Sequence, residues 1–166
     1  HENHAFVEAW IAQLLLAMPQ MSDPRFHKSV IFMCAHDDQG AMGLILNTEM
    51  PGAKFSALLE QVPDVDKDAI PEKYARFPMR TGGPVETTRG FLLHPADFDL
   101  PDTIHIDDTF SVTGTIDVLQ LLAEGGGPED ILFMLGYSGW SEGQLERELQ
   151  ENAWLVSTPT PDLLFH

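Results

Sequence analysis

The chain has a single cysteine among 166 residues, so no disulfide can form within it. Cys34 lies in the apolar run VIFMCAH, a position that favours a buried and inert thiol. A redox or nucleophilic role would require positive charge near the thiol, for which Lys28 and His36 are the nearby candidates in the sequence. Because unpaired cysteine is typical of reducing compartments, we expect a cytoplasmic protein.

Basic residues are also scarce. The chain carries 9 Lys and Arg against 26 Asp and Glu, which gives a formal net charge of −17. A DNA duplex repels such a surface unless the few cations are concentrated in one patch. The densest group of cations, from Lys73 to Arg89, lies beside the carboxylates of Glu72 and Glu86. We therefore expect no direct contact with nucleic acid.

Long hydrophobic runs are missing. The longest apolar stretches, such as Val30–Ala35 and Ile131–Leu135, are far too short to span a bilayer, so no membrane association is expected. The stretch His1–Gln13 lacks a basic region and a small-residue cleavage site, so we expect no secretory signal there. The length and ordinary composition predict one soluble globular domain over residues 1–166.

Metal-binding motifs are incomplete. Asp64, Asp66 and Asp68 begin a calcium-loop pattern, but Ala69 replaces the required glycine and Ala75 replaces the bidentate glutamate. The four internal histidines have no zinc-site spacing and favour separate core or surface positions; they are His27, His36, His94 and His105. We therefore expect no bound metal and no cofactor.

The most informative stretch that is present runs from Leu135 to Leu155, LGYSGWSEGQLERELQENAWL. It follows an apolar strand at Ile131–Leu135 and has a turn rich in glycine. Ser141 and Gln144 have the spacing of a capping box at a helix start. Two leucines four residues apart, at 145 and 149, then share one helix face. The pattern predicts strand, turn, helix and strand, with Trp140 and Trp154 at the two ends of the helix.

Local patterns predict the other elements. Ser29–His36 and Met42–Asn47 form a hairpin pattern, and Phe55–Val62 has the spacing of a short amphipathic helix. The acidic, proline-bounded segment Pro63–Pro78 predicts an exposed loop with one helical turn. Strands at Met79–Thr81 and Gly90–His94 flank the turn Gly82-Gly83-Pro84. Strands precede helices along the chain, so composition and order indicate a mixed α and β protein.

Four blocks in this order resemble the YqgE/AlgH family of bacterial proteins, also called UPF0301 or DUF179. They are Leu14–Asn47, Gly82–His94 (GGPVETTRGFLLH), Phe110–Pro128 and the stretch from Leu135 to Phe165. The resemblance covers nearly the whole chain and implies a single α+β domain with a bifurcated, partly barrel-like β-sheet and helices packed outside. It implies no particular biochemical activity, although the family is sometimes labelled a transcriptional regulator.

The family-like blocks supply the candidate site. We expect a non-enzymatic cytoplasmic accessory or regulatory protein whose cleft binds a small molecule or a protein partner, and the oligomeric state stays open. Gly82 to Val85 is a candidate anion nest of backbone N–H groups, although a tight turn between strands explains the same residues. The candidate ligand-binding residues are Asn47, Gly82, Gly83, Pro84, Arg89, His94, Tyr137, Trp140 and Gln144.

Two alternatives are kept. The first is a weak hydrolase, because Gly136-Tyr137-Ser138-Gly139-Trp140 stands where a nucleophile elbow would lie and His94 would serve as its base. However, Trp140 occupies the position where that elbow requires a glycine, so a close-packed structural turn explains the residues as well. The second alternative is a transcriptional regulator that acts indirectly, without touching DNA.

Overall fold

The computed structural model describes residues 10–21, 23–114 and 116–165, without the side chain of Ile116. The remaining positions of the predicted domain over residues 1–166 lie outside this description. Within it the strands are β1 (Leu14–Ala17), β2 (Val30–Asp37), β3 (Gly40–Ile45), β4 (Glu49–Lys54), β5 (Pro78–Thr81), β6 (Val85–Pro95), β7 (Ile104–His105), β8 (Phe110–Thr113), β9 (Leu132–Ser141) and β10 (Trp154–Ser157). The α-helices are α1 (Phe55–Glu60), α2 (Ile116–Ala123), α3 (Gln144–Gln150) and α4 (Pro161–Phe165), and 3-10 turns cover Pro24–Phe26, Lys67–Ala69 and Glu72–Arg76.

The ten strands join one sheet. Eight of them follow one another in the order β10-β1-β2-β3-β9-β6-β8-β7, and β4 and β5 branch from β9. The sheet divides at β9. Residues from Ser138 to Ser141 pair with β3, whereas Met134 and Leu135 pair in parallel with β5, which in turn pairs with β4. This branching, with helices packed outside the sheet, confirms the predicted α+β fold and its bifurcated sheet.

The sheet is curled into a half-barrel. Phe32 on β2 and Phe110 on β8 meet edge to face with ring centroids 5.3 Å apart. Four strand spacings separate these strands along the sheet, which would be roughly 19 Å if the sheet were flat. The curl therefore brings distant strands together around a first core, which also contains Leu14, Leu93 and Met134.

Two further cores lie outside the curl. The second packs α1, α2 and the turn at Glu72–Arg76 against β6 and β9, around Phe55, Leu122 and Phe133. The third packs α3 and the turn at Pro24–Phe26 against the other half of the sheet, around Trp140 and Trp154. No helix in the described ranges is both long and apolar enough to cross a bilayer.

Local predictions succeed where periodicity and turn residues agree. The hairpin of β2 and β3 forms across Asp37 and Gly40 as predicted, and α1 begins at Phe55 as predicted. The prediction of an exposed loop over Pro63–Pro78 is wrong at Tyr74, which is 1% exposed. Its ring packs edge to face on Phe55 in the second core, at 5.5 Å between centroids.

The predicted glycine-rich turn after Leu135 is also wrong, since β9 continues to Ser141. Gly136 has a φ of +80°, a left-handed conformation that glycine adopts without a steric cost. Successive side chains of a regular strand point to opposite faces, so Met134 and Tyr137 would be expected on different faces. Both nevertheless pack on the first core, one before Gly136 and one after it. Gly136 thus acts as a bulge that exchanges the two faces of the strand and lets Trp140 reach the third core.

The predicted capping box at α3 forms in part. The side-chain oxygen of Gln144 accepts from the backbone N–H of Ser141 at 3.0 Å, as such a box requires. The Ser141 hydroxyl donates to the same oxygen at 3.2 Å instead of accepting from a helix N–H. Gly143, in the left-handed conformation, stands directly before the helix.

Candidate functional site

The Gly82–Pro84 turn packs directly on the middle of β9. The Gly82 N–H donates to Leu135 O at 2.8 Å, and Gly82 O accepts from Ile45 N at 2.8 Å. A Cβ on Gly83 would overlap the carbonyl group of Tyr137, and one on Gly82 would overlap the carbonyl oxygen of Gly136. The two glycine-rich segments therefore touch backbone to backbone, and the Gly82 N–H of the predicted anion nest is already bonded within the sheet.

Ser138 and His94 do not meet. Ser138 is fully buried, and its hydroxyl donates to Gly82 O at 3.1 Å. Leu93 pairs with Leu132 on β9, so His94 lies about seven residues along the strand from Ser138, on the order of 20 Å away. The geometry of a nucleophile with an adjacent base is absent at this pair.

His94 belongs instead to a buried relay of hydrogen bonds. Its Nδ1 lies 2.8 Å from Pro95 O, which can only accept, so Nδ1 carries the proton. Its Nε2 then accepts from the Thr113 hydroxyl at 2.8 Å. Thr113 in turn lies 2.7 Å from the Thr103 hydroxyl, which accepts from Leu100 N at 2.9 Å. Burial lowers the pKa of His94, so the relay holds a neutral imidazole.

Asn47 fastens the start of β2. Its side-chain amide donates to Lys28 O at 2.9 Å and accepts from Val30 N at 3.0 Å. Lys28 has a φ of +59°, so the amide holds a left-handed residue in place just before the strand. Both halves of the amide are used within the fold.

Pro84 is exposed directly before β6, whereas Arg89 on β6 and Tyr137 on β9 are connected through Phe91 and Glu86. The residues between Val85 and Gly90 loop out of the ladder with β9 as an irregularity. The Arg89 guanidinium lies 5.1 Å from the ring centroid of Phe91, which meets Tyr137 edge to face at 6.1 Å. Arg89 also lies 3.6 Å from Glu86, whose carboxylate raises the pKa of the Tyr137 hydroxyl.

Trp140 and Gln144 lie in the third core, where both bind Glu148. The indole N–H groups of Trp140 and Trp154 donate to Glu148 Oε1 at 3.0 and 2.8 Å, and the Gln144 amide donates to Oε2 at 2.9 Å. Because of the bulge at Gly136, Trp140 and Tyr137 pack on different cores. The nine predicted residues are thus spread over several separate places, and the described structure does not bring them into one cleft.

Cys34 packs against the first core, and its thiol lies 3.8 Å from Phe32 O. Burial raises the pKa of Cys34 to about 12. A thiol with this pKa is almost entirely protonated near neutral pH, and the thiolate is the reactive form. Within the described ranges, no three His, Cys, Asp or Glu side chains form a group that could hold a metal ion.

One surface feature was not predicted from the sequence. Three large hydrophobic side chains are exposed in the described residues, Ile104 at 64%, Leu155 at 55% and Leu163 at 64%. Ile104 pairs with Val112 on β8, and Leu155 pairs with Leu16 on β1. Directly opposed residues project from the same face of a sheet, and both partners belong to the first core. Ile104 and Leu155 therefore lie on the inner face of the curl.

The third exposed residue lies on the segment that runs from edge strand β10 to β8, the strand next to the other edge. The chain leaves edge strand β10 at Ser157, and the Phe165 ring reaches Phe110 of β8 at 6.2 Å between centroids. Leu164 and Phe165 of α4 pack on the first core, whereas Leu163 is exposed. We call Ile104, Leu155 and Leu163 the seam, because they follow the opening of the half-barrel.

The seam lies in a part of the chain without Lys or Arg. Arg147 is the sole Lys or Arg after Arg89, in a stretch that includes β7, β8, β10 and α4. Exposed carboxylates flank the seam at Asp102, Asp107 and Asp162. Six of the nine Lys and Arg residues fall between positions 54 and 89, on the other elements.

The chain is similar to one protein family and to members of that family from several bacteria. The DUF179 family, described as AlgH-like, matches residues 14–166. A UPF0301 protein of Nitrobacter hamburgensis is 46% identical over 157 residues, covering 92% of this chain and 73% of the relative. A UPF0301 protein of Brucella abortus is 46% identical over 156 residues, covering 92% and 78%.

Solved structures agree with the fold. The solution structure of the AlgH protein from Pseudomonas aeruginosa has a TM-score of 0.77 and 40% identity, over 94% of this chain and 80% of that one. A crystal structure of a protein from Corynebacterium diphtheriae has a TM-score of 0.69 over 93% of this chain and 78% of that one. Its identity is 18%, so that likeness concerns the fold alone.

Proposed function

The chain belongs to the DUF179, AlgH-like family, and on that premise we propose that it is a non-enzymatic cytoplasmic accessory protein whose seam binds a partner protein. One observation carries the proposal. The large hydrophobic side chains that are exposed in the described residues lie on the edge strands β7 and β10 and on α4. An exposed apolar patch is typical of a protein-binding site, and we infer that these three side chains form one.

The edges of the sheet support the same assignment. Within the described residues, β10 pairs with β1 alone and β7 pairs with β8 alone. Each strand thus presents one row of backbone N–H and C=O groups at the rim of the seam. Such an edge can receive an extended segment from another protein, with main-chain hydrogen bonds supplying affinity.

The charge distribution defines the partner. The seam elements β7, β10 and α4 contain no Lys or Arg, and carboxylates lie beside the seam residues in the chain, so a complementary segment carries apolar side chains together with Lys or Arg. A second copy of this chain has the same net charge of −17 and would be repelled at long range. The seam therefore favours a basic polypeptide segment over self-association.

The same proposal accommodates an indirect regulatory role. A protein that binds a basic segment can influence transcription without touching DNA, and the scattered cations of this chain are partly paired. Arg25 with Asp23, Lys73 with Glu129 and Arg89 with Glu86 form ion pairs at 2.7, 3.9 and 3.6 Å. The hydrolase alternative receives no support from the fully buried Ser138 or from its distance to His94.

Photo-crosslinking in cells tests the proposal. A photoreactive amino acid is placed at position 104, 155 or 163, and at the control positions 39 and 124, which are exposed on the β2–β3 turn and at the end of α2. We expect the three seam positions to capture one common protein that the control positions do not capture. The captured protein should then bind the purified chain through a basic segment. Capture of different proteins at each seam position, or equal capture at the control positions, would contradict the proposal.

A further inference from the structure

A second feature adjoins α4, the helix that carries Leu163 of the seam. A cavity of about 270 Å³ opens between β5, the beginning of β9 and the last residue of α4. Three phenyl rings line it, from Phe77, Phe133 and Phe165, and the Arg80 side chain enters it from β5. The wall combines apolar side chains with three charged ones, Arg80, Glu129 and Asp130, and a recess with a few polar groups among apolar ones is a candidate small-molecule site.

Arg80 is the unusual member of this lining. No hydrogen bond or ion pair of 4 Å or less to its guanidinium is found within the described part of the chain. Partial burial lowers the pKa of Arg80, and Glu49, its cross-strand neighbour, offsets this through a longer-range attraction. A guanidinium stays charged at any pH at which the protein is folded, so a half-buried one needs an anion or water as partner.

The rest of the lining limits which anion fits. Glu129 and Asp130 add two carboxylates to the wall, and Glu129 is 92% exposed at the mouth. These negative charges disfavour a phosphate or any dianion. The phenyl rings require an apolar body behind the charged group. A guanidinium presents paired N–H donors that match the two oxygens of one carboxylate.

We infer that the cavity binds a small organic monocarboxylate, with its carboxylate on Arg80 and its apolar body among Phe77, Phe133 and Phe165. The cavity shares helix α4 with the seam, but the proposed binding of a monocarboxylate does not depend on the partner protein proposed for the seam. The sequence offered no indication of it, since Arg80 precedes the Gly82–Pro84 turn as one of several scattered cations.

Benzoate is a suitable probe, with benzamide as the neutral analogue of the same shape and inorganic phosphate as the simple anion. Two-dimensional NMR of the isotope-labelled chain would follow backbone amides and the Arg80 side-chain N–H during titration. For a ligand this small we expect a Kd in roughly the millimolar range. Shifts should centre on Arg80, Phe133 and Phe165, and benzamide and phosphate should bind at least about tenfold more weakly.

Arg80→Gln is the decisive variant, and Arg76→Gln is its matched control, because Arg76 is an exposed arginine outside the cavity lining. We expect Arg80→Gln to weaken benzoate binding at least about tenfold and Arg76→Gln to leave it unchanged. The Tm of Arg80→Gln without ligand should equal or exceed that of the natural sequence, since an unpaired half-buried charge is removed. Lost binding would then not reflect lost folding.

Three results would overturn the inference. The first is the absence of benzoate-induced shifts at the cavity up to about 20 mM, well above the expected Kd. The second is equal binding of benzamide or phosphate, which would remove the need for a carboxylate or for an apolar body. The third is undiminished benzoate binding by Arg80→Gln. Each of these results concerns the cavity alone and leaves the crosslinking test of the seam unaffected.

Discussion

The indole N–H of Trp140 donates to Glu148 at 3.0 Å across the gap between β9 and α3. Trp154 donates to the same oxygen from β10, so one carboxylate ties both strands to the helix. Trp140 is 5% exposed and stacks on Phe26 with ring centroids 6.4 Å apart. These contacts favour a role for Trp140 as an anchor of the fold over a role as the wall of an open cleft.

Trp140→Ala should therefore lower the free energy of unfolding by roughly 3–5 kcal/mol, as truncation of a buried aromatic residue does. Urea denaturation followed by circular dichroism measures this loss. Tyr137→Phe is the control, because it removes one hydroxyl near the surface and should change the free energy by less than about 0.5 kcal/mol. A loss below about 1 kcal/mol for Trp140→Ala would place the ring in an open cleft instead.

Gly136→Ala tests the bulge in β9. An added Cβ would lie 2.5 Å from Gly83 O, and the φ of +80° is strained for alanine. We expect a loss of at least about 3 kcal/mol, because strain and overlap add. Gly52→Ala is the matched control, since Gly52 has a φ of +77° with nothing within 4 Å of the added Cβ. The free energy of unfolding of Gly52→Ala should fall by only about 1–2 kcal/mol, from the backbone conformation alone. Equal losses for the two variants would show that the close approach of Gly136 to Gly83 is unimportant.

This bulge also marks the limit of what the sequence could predict. Hairpins and short helices follow from local periodicity and turn residues, so β2, β3 and α1 were predictable. The three glycines at 136, 139 and 143 favoured a turn, because local patterns do not distinguish a turn from a bulge that reverses the faces of a strand. The burial of Tyr74 depends on the packing of helices outside the sheet, and the exposure of Leu155 depends on the curl of the sheet. No local pattern reports either arrangement. The predicted ligand-binding residues lie apart because residues that are near in sequence, such as Tyr137 and Trp140, pack on different cores.

Stability should depend on pH through His94. Burial lowers the folded-state pKa of His94 below its ordinary value of 6.5, so the unfolded chain binds a proton more readily. The contribution to stability is complete above pH 6.5 and is lost as the pH falls toward the folded-state pKa. Protonation would also make Nε2 a donor and break the present order of the relay through Thr113 and Thr103.

We expect the Tm to fall as the pH is lowered below about 6.5, and His94→Gln to flatten that dependence. Glutamine offers one donor and one acceptor but does not titrate, so the comparison isolates His94 from the carboxylates. The variant has a lower Tm at every pH, and the informative quantity is the slope. An unchanged slope in His94→Gln would assign the pH dependence to other groups.

Ser138 should not react as a nucleophile. Its hydroxyl is buried and donates to Gly82 O, which also accepts from Ile45 N, so Ser138→Ala should cost about 1 kcal/mol. Intact-mass spectrometry after treatment with a serine-directed fluorophosphonate should show no adduct on the folded chain. An adduct mapped to Ser138 would revive the hydrolase alternative.

The central claim is that the seam binds a basic partner segment. The most direct test uses the partner identified by crosslinking, after purification. Its affinity is measured for matched variants of this chain at several salt concentrations. Leu155→Thr keeps a strand-forming residue and should weaken binding at least about tenfold. Asp162→Asn, beside Leu163, should weaken binding and reduce its salt dependence. Glu124→Gln removes one carboxylate at the end of α2, against the second core, and should change neither. Equal affinities for Leu155→Thr and the natural sequence, or a salt dependence that Asp162→Asn leaves unaltered, would contradict the account.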